Sequence, residues 1–298
     1  MLAINRLPGP FGAEITGLDL NEEIDEATFD QIIEALHTHA VLCIRDQFDL
    51  SPKNHVAFGA RFGELEVHVQ SSFNLDGFPE IYCISNCVDE NGKPKGLAEA
   101  GRVWHTDLSY MQEPSRCSLL HALEVPHDDD GKPLGSTLFS SSVMAYEALS
   151  DEMKRRLKGM SAVHSYRQVY GRIRARSKPG RQGLKDLTEE DFKKVPPANH
   201  PVVIAHPYTG VPILFCDFGT TEGFDGMEQE ESDVLLEELT AHSVRPEFVY
   251  SHDWRVGDLM IWDNIQTQHF AVDDYWLPQR RYMQRVTVKG VEPKAAAA

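Results

Sequence analysis

The sequence predicts a mostly β domain with helices at its periphery. Short apolar runs of strand length recur along the chain, and they do not alternate regularly with helices. That spacing disfavours a doubly wound sheet and fits an antiparallel β architecture. No internal repeat is present, and 298 residues suit one domain spanning residues 1–298.

The elements follow in order. Residues 13–20 alternate apolar and polar, as a half-buried strand does. Phe29, Ile32, Ile33 and Leu36 form a helical stripe over 28–40, and residues 41–45 read as a short buried strand. Ser51 and Pro52 open a helix that runs to about residue 62. Residues 81–84 are a strand, and 89–101, rich in Gly, Lys and Asp, form a loop. The apolar run 119–123 and the strand 137–139 flank a polar loop over 126–135. Residues 143–157 are helical with a break near Ser150. Residues 167–199 are basic and punctuated by Gly and Pro, and are expected as a loop-rich insertion with a short helix at 188–195. Residues 202–206 and 211–215 make a hairpin, 227–243 a helix, and 248–250, 258–262 and 281–288 strands.

Composition excludes several function classes. The 46 acidic and 29 basic residues give a net charge of −17 with no long basic run, against wholesale binding to nucleic acid or an anionic membrane. No apolar stretch could span a bilayer or serve as a signal peptide. Five cysteines without zinc-finger spacing read as free thiols, and the expected location is the cytoplasm.

Chemistry concentrates in Val103-Trp104-His105-Thr106-Asp107-Leu108-Ser109-Tyr110. Read as a strand, it puts His105 and Asp107 on one face, where burying both groups calls for a partner such as a metal ion. The pattern alone is weak: roughly one His-x-Asp match is expected by chance in a chain with 13 histidines. A second match, His127-Asp128-Asp129, falls in a polar turn and reads as solvated loop. Most other histidines read as structural or exposed, with His121, in an apolar run, a lesser candidate to line the site. His269 stands apart, following a strand that ends in Asp263-Asn264. Two histidines and one carboxylate with open positions suit a non-haem Fe(II) that activates O2. Arg281 and Arg285 lie four apart on one strand face, as an anion grip would require. The plainer reading is a basic edge strand. Leu108 and Tyr110 are candidates to shape the pocket, while Trp104 points the other way and reads as packing.

Further stretches carry a resemblance. They are Phe11-Gly12-Ala13-Glu14-Ile15-Thr16-Gly17, Phe62-Gly63-Glu64-Leu65, Trp104-His105-Thr106-Asp107 and Gly135-Ser136-Thr137-Leu138-Phe139. Ala145-Tyr146-Glu147-Ala148-Leu149-Ser150, Trp262-Asp263-Asn264 with Gln268-His269, and Leu277-Pro278-Gln279-Arg280-Arg281 complete them. With these in one order, nearly the whole chain resembles the taurine and aryloxyalkanoate dioxygenase (TauD/TfdA) family. The resemblance implies a double-stranded β-helix, or jelly-roll, and an oxidoreductase using Fe(II), 2-oxoglutarate and O2, with release of succinate and CO2. It implies that His105, Asp107 and His269 are the metal ligands, and that Thr137 and Arg281 hold the far carboxylate of 2-oxoglutarate. Arg285 matches an arginine near both the cofactor and the anionic group of a small substrate. His68 matches a substrate-contacting histidine of the sulfonate-using members. A homo-oligomer is a family-level expectation. The chain departs from the family pattern in a longer, acidic 126–135 loop, in Ser136 where Asp is common, and in one extra residue between His269 and Arg281. Residues that hold taurine are not matched around Val69-Gln70-Ser71. Two other readings stand beside the oxygenase: a zinc hydrolase on the same ligands, and a non-catalytic jelly-roll binding module.

Overall fold

The structure is a computed structural model, described over residues 2–68, 71–176 and 186–297. Residues 177–185 of the expected insertion, with Val69 and Gln70, lie outside the described residues. An eight-stranded sheet runs in the order Ala3–Arg6, Ala13–Thr16, Val41–Ile44, Leu259–Asp263, Ser115–Glu124, Tyr282–Lys289, Phe78–Ser85 and Asn74–Leu75. Neighbours are antiparallel except Ala13–Thr16 beside Val41–Ile44. A second sheet places Thr137–Ser141 between Val249–His252 and Thr267–Ala271, again antiparallel. The two sheets face each other as a double-stranded β-helix.

Alternation along the strands builds two cores, because successive side chains leave a strand on opposite faces. On one face Leu42, Ile44, Leu119, Ile261, Val286 and Val288 pack against Phe29, Ile32, Leu36 and Phe58 of the helices Glu26–His39 and Pro52–Ala60. On the other, Val41, Cys43, Leu120, Met260, Trp262 and Met283 meet Phe139 and Tyr250 of the smaller sheet. Side-chain caps start both helices. Asp25 accepts from the Thr28 N–H, and Ser51 from Asn54 with Pro52 in the first turn. Leu119 has no exposed surface, so Leu119→Ala is expected to cost about 2–5 kcal/mol, read from denaturant unfolding.

The break expected near Ser150 is present, since Ser150 caps Asp151–Leu157 after the helix Ser142–Glu147. The described parts of 167–199 hold more order than the sequence suggested. The helix Tyr166–Arg176 precedes Glu189–Lys193, and Ala198–Pro201 pairs with Ser161–His164, itself beside Thr221–Phe224. His121 alternates to the helix-side face of its strand, where Nε2 lies 2.8 Å from the Gln47 carbonyl. It does not line the site. Among the described residues no helix is long and apolar enough to cross a membrane.

Candidate metal centre

Residues 103–110 are not the strand that alternation suggested. His105 makes one isolated bridge to His269, and turns follow, with Leu108 at a left-handed φ of 58°. An extended strand would hold residues i and i+2 roughly 6.6 Å apart. The turn instead folds the Asp107 carboxylate back toward the imidazole. The bridge supplies the other half of the geometry. The His105 N–H donates to the His269 carbonyl (3.1 Å) and the His269 N–H to the His105 carbonyl (2.8 Å). This sets the two residues directly opposite each other, with ring centroids 4.1 Å apart.

Three buried donors converge as a result. Asp107 Oδ1 lies 3.7 Å from His105 Nε2, and Asp107 Oδ2 lies 3.9 Å from His269 Nε2. His105 Nδ1 sits 2.7 Å from the Val103 carbonyl. As an N–H donor there, it leaves the Nε2 lone pair facing the cluster. Ser118 Oγ donates to Asp107 Oδ2 (2.7 Å) and accepts from Asn264 Nδ2 (3.0 Å), while the Trp262 indole donates to Asn264 Oδ1 (2.8 Å). The Trp262-Asp263-Asn264 stretch is thereby tied to the carboxylate. Arg285 donates to Asp107 Oδ1 at 2.8 Å.

The electrostatics prepare these groups for a cation. Burial would raise the Asp107 carboxyl, but Arg285, His269 and His105 hold it well below the usual carboxylate range. Burial, then the neighbouring His105, push the His269 imidazole well below its ordinary value. Burial alone would lower His105, and Asp107 reverses that to leave it raised. A carboxylate, a neutral imidazole and a second imidazole with a free Nε2 lone pair fit a divalent metal.

Arg281 has a different setting. Its backbone N–H donates to Asn86 Oδ1 (2.8 Å) and its carbonyl accepts from Ser85 Oγ (2.8 Å). Its side chain is 3% exposed, Nε has no partner, and the guanidinium lies 5.9 Å from the Trp254 ring and 5.8 Å from the Tyr275 ring. Among the described residues no carboxylate pairs with it. Trp254 Nε1 donates to Thr137 Oγ1 (3.0 Å), so Thr137 and Arg281 both border Trp254. A buried, uncompensated cation is costly unless an anion arrives.

The predicted pocket residues come together. His68, Leu108, Tyr110 and Arg285 line one cavity of about 80 Å³ with His105 and Asp107. His68 lies against Tyr82, ring centroids 4.3 Å apart. Trp104 does not line the cavity and packs on Phe270 at 5.7 Å. Sequence reasoning missed one wall: Tyr166, Val169, Tyr170 and Ile173 of the helix Tyr166–Arg176. Their i, i+3, i+4, i+7 spacing is a helical stripe, obscured in the sequence by four arginines within residues 167–176. A second buried group, Cys43, His252 and Asp258, also has donor atoms in mutual reach. Arg45 already grips both Asp258 oxygens (2.9 and 2.7 Å), and Tyr250 meets His252 Nδ1 at 3.0 Å, so this is a structural ion cluster.

Residues 3–287 match the family described as taurine catabolism dioxygenase TauD, TfdA family. The pentalenolactone F synthase of Streptomyces avermitilis is 31% identical over 95% of this chain and 92% of its own. The alpha-ketoglutarate-dependent 2,4-dichlorophenoxyacetate dioxygenase of Cupriavidus pinatubonensis is 31% identical over 95% and 96%. The crystal structure of AAD-2 in complex with Mn(II) and N-oxalylglycine superposes with a TM-score of 0.79 at 29% identity, covering 98% of this chain and 99% of that one.

Proposed function

This chain belongs to the taurine catabolism dioxygenase TauD/TfdA family, and on that footing we propose that His105, Asp107 and His269 hold its Fe(II) while Arg281 and Thr137 receive 2-oxoglutarate. It is an Fe(II)- and 2-oxoglutarate-dependent dioxygenase acting on a small molecule. Bound at the site, Fe(II) with 2-oxoglutarate and O2 supplies the oxidising power that functionalises a substrate C–H bond, with succinate and CO2 released. The chain's own residues position and shield that chemistry. Asp107 enters the ligand set already ionised, and Ser118 fixes one of its oxygens. Arg281 compensates the far carboxylate of 2-oxoglutarate, and Thr137 borders the same place. Arg285 braces Asp107 and leaves Nε for an anionic group of the substrate. His68, Leu108, Tyr110 and the helix Tyr166–Arg176 exclude water and hold the substrate's apolar part.

One observation carries the reading: the two-histidine, one-carboxylate cluster shares the fold with a buried arginine that no carboxylate pairs with among the described residues. The zinc-hydrolase and binding-module readings leave Arg281 unexplained. Five free, buried thiols suit a reducing cytoplasm, and a homo-oligomer rests on the resemblance alone. The test is succinate formation with added Fe(II) and 2-oxoglutarate over a panel of aryloxyacetates, alkyl sulfates and sulfonates. Stoichiometric succinate and oxidised product support the reading. Hydrolysis with Zn2+ and no consumption of 2-oxoglutarate would sink it.

A pH dependence follows from the raised His105 imidazole. A proton competes with the metal for Nε2. Affinity is therefore full at high pH and starts to fall above the ordinary imidazole value of about 6.5. Calorimetry in buffers of different ionisation enthalpy should show proton release on metal binding, growing as the pH is lowered toward that range.

A further inference from the structure

Residues 103–110 carry two of the three proposed ligands but lack a strand's ladder of hydrogen bonds. Several of their polar groups are instead taken up by the segment 216–221. The Gly219 N–H donates to the Trp104 carbonyl at 2.8 Å. Asp217 Oδ2 accepts from the Thr106 N–H, between the two ligands, at 3.4 Å, and from Thr220 Oγ1 at 2.8 Å. Asp217 Oδ1 accepts from the Thr220 N–H at 2.8 Å, and Thr220 Oγ1 accepts from Ser109 Oγ at 2.7 Å. His164 Nδ1 completes the contacts of that hydroxyl at 3.1 Å. A Cβ on Gly219 would stand 2.7 Å from His105 Cβ and 2.8 Å from the Trp104 carbonyl oxygen, so this segment presses directly on the ligand-bearing backbone.

Asp217 is 2% exposed and no Lys, Arg or His pairs with it among the described residues, in contrast to Asp107 with Arg285. It also stands outside the three-atom donor cluster. A buried carboxylate with hydrogen bonds and no cation is costly in the metal-free protein. It becomes favourable when a dication arrives nearby.

We propose that Asp217, through Thr220 and the Thr106 peptide, is a positioning residue for the metal. It holds His105 and Asp107 in ligating geometry and supplies a second buried negative charge behind them. This inference rests on the metal-centre reading above. It separates two buried carboxylates by role: Asp107 for the metal and Asp217 for the backbone that presents it. Partners at this distance typically contribute roughly 10–100-fold to metal affinity.

The experiment is titration of metal-free full-length protein with Co2+, reading affinity and the visible ligand-field spectrum, together with thermal unfolding with and without Co2+. Asp217→Asn is expected to bind Co2+ at least tenfold more weakly with an altered spectrum. Its metal-free melting temperature should be unchanged or higher, so that the metal-induced rise shrinks. Thr220→Val, which keeps shape and loses the hydroxyl, should follow Asp217→Asn, and Thr220→Ser should restore wild-type binding. If Asp217→Asn does not fold, the Thr220 pair decides alone. Wild-type affinity and spectrum in Asp217→Asn or Thr220→Val would overturn the proposal. A wild-type protein that gives no bound Co2+ spectrum would instead remove the metal-centre reading itself.

Discussion

Arg281→Ala is expected to raise the KM for 2-oxoglutarate by roughly 100-fold, with Fe(II) affinity close to wild type. Arg281 is buried, its Nε has no partner, and its backbone is fixed by Asn86 and Ser85. Truncating one partner of a buried, hydrogen-bonded charge pair costs roughly 2–5 kcal/mol, which brackets a 100-fold change. Because no carboxylate among the described residues pairs with the guanidinium, its removal should leave the metal-free protein as stable as before or more so. A structural role would show the reverse: lost stability with an unchanged KM. Arg281→Lys should recover only part of the affinity, since an ammonium cannot present the paired donors that a carboxylate accepts. Steady-state succinate formation at varied 2-oxoglutarate, alongside denaturant unfolding, separates these outcomes. A KM within threefold of wild type would remove Arg281 from the cofactor site.

The second large effect belongs to Asp107. Asp107→Ala removes the only carboxylate of the donor cluster, and turnover is expected to fall by at least about 1,000-fold, on the scale of losing a transition-metal ligand. It also strands Arg285, whose guanidinium donates to Asp107 Oδ1 at 2.8 Å in a buried setting. Breaking a buried pair from one side costs about 3–5 kcal/mol, so this variant should be destabilised as well as inactive. The two effects come apart in Asp107→Ala/Arg285→Met. The double variant should regain most of the stability and none of the activity. Equal stability of the single and double variants would contradict the pairing.

How much of this was legible in the sequence follows from where each interaction is local. Helices with a Ser or Asp cap, and strands with period-two alternation, signal themselves within a few residues. The predicted helices at 28–40 and 51–62 accordingly correspond to Glu26–His39 and Pro52–Ala60. The His105 and Asp107 pair was found for a reason the structure changes. Alternation suggested one strand face, whereas a bridge to His269 and a turn at Leu108 set the geometry. Both routes bring the two groups together, but the bridge couples residues 164 positions apart, which no local pattern records. The wall formed by Tyr166, Val169, Tyr170 and Ile173 had a readable helical spacing. Interleaved arginines masked it: Arg167 and Arg174 reach out to acidic partners while the apolar stripe turns inward. Asp217 and Thr220 carried no signal: an acidic residue in a mixed stretch reads as surface until Thr106 and Ser109 are seen against it.

The most direct test of the central claim is anaerobic addition of Fe(II) and then 2-oxoglutarate to the metal-free protein, followed in the visible spectrum. Chelation of the metal by the keto acid produces a metal-to-ligand charge-transfer band. The wild-type protein is expected to show this band, Arg281→Ala to show it only at much higher 2-oxoglutarate, and Asp107→Ala to lack it. A folded, metal-loaded wild-type protein that develops no band would contradict the assignment of His105, Asp107 and His269 as an Fe(II)/2-oxoglutarate centre.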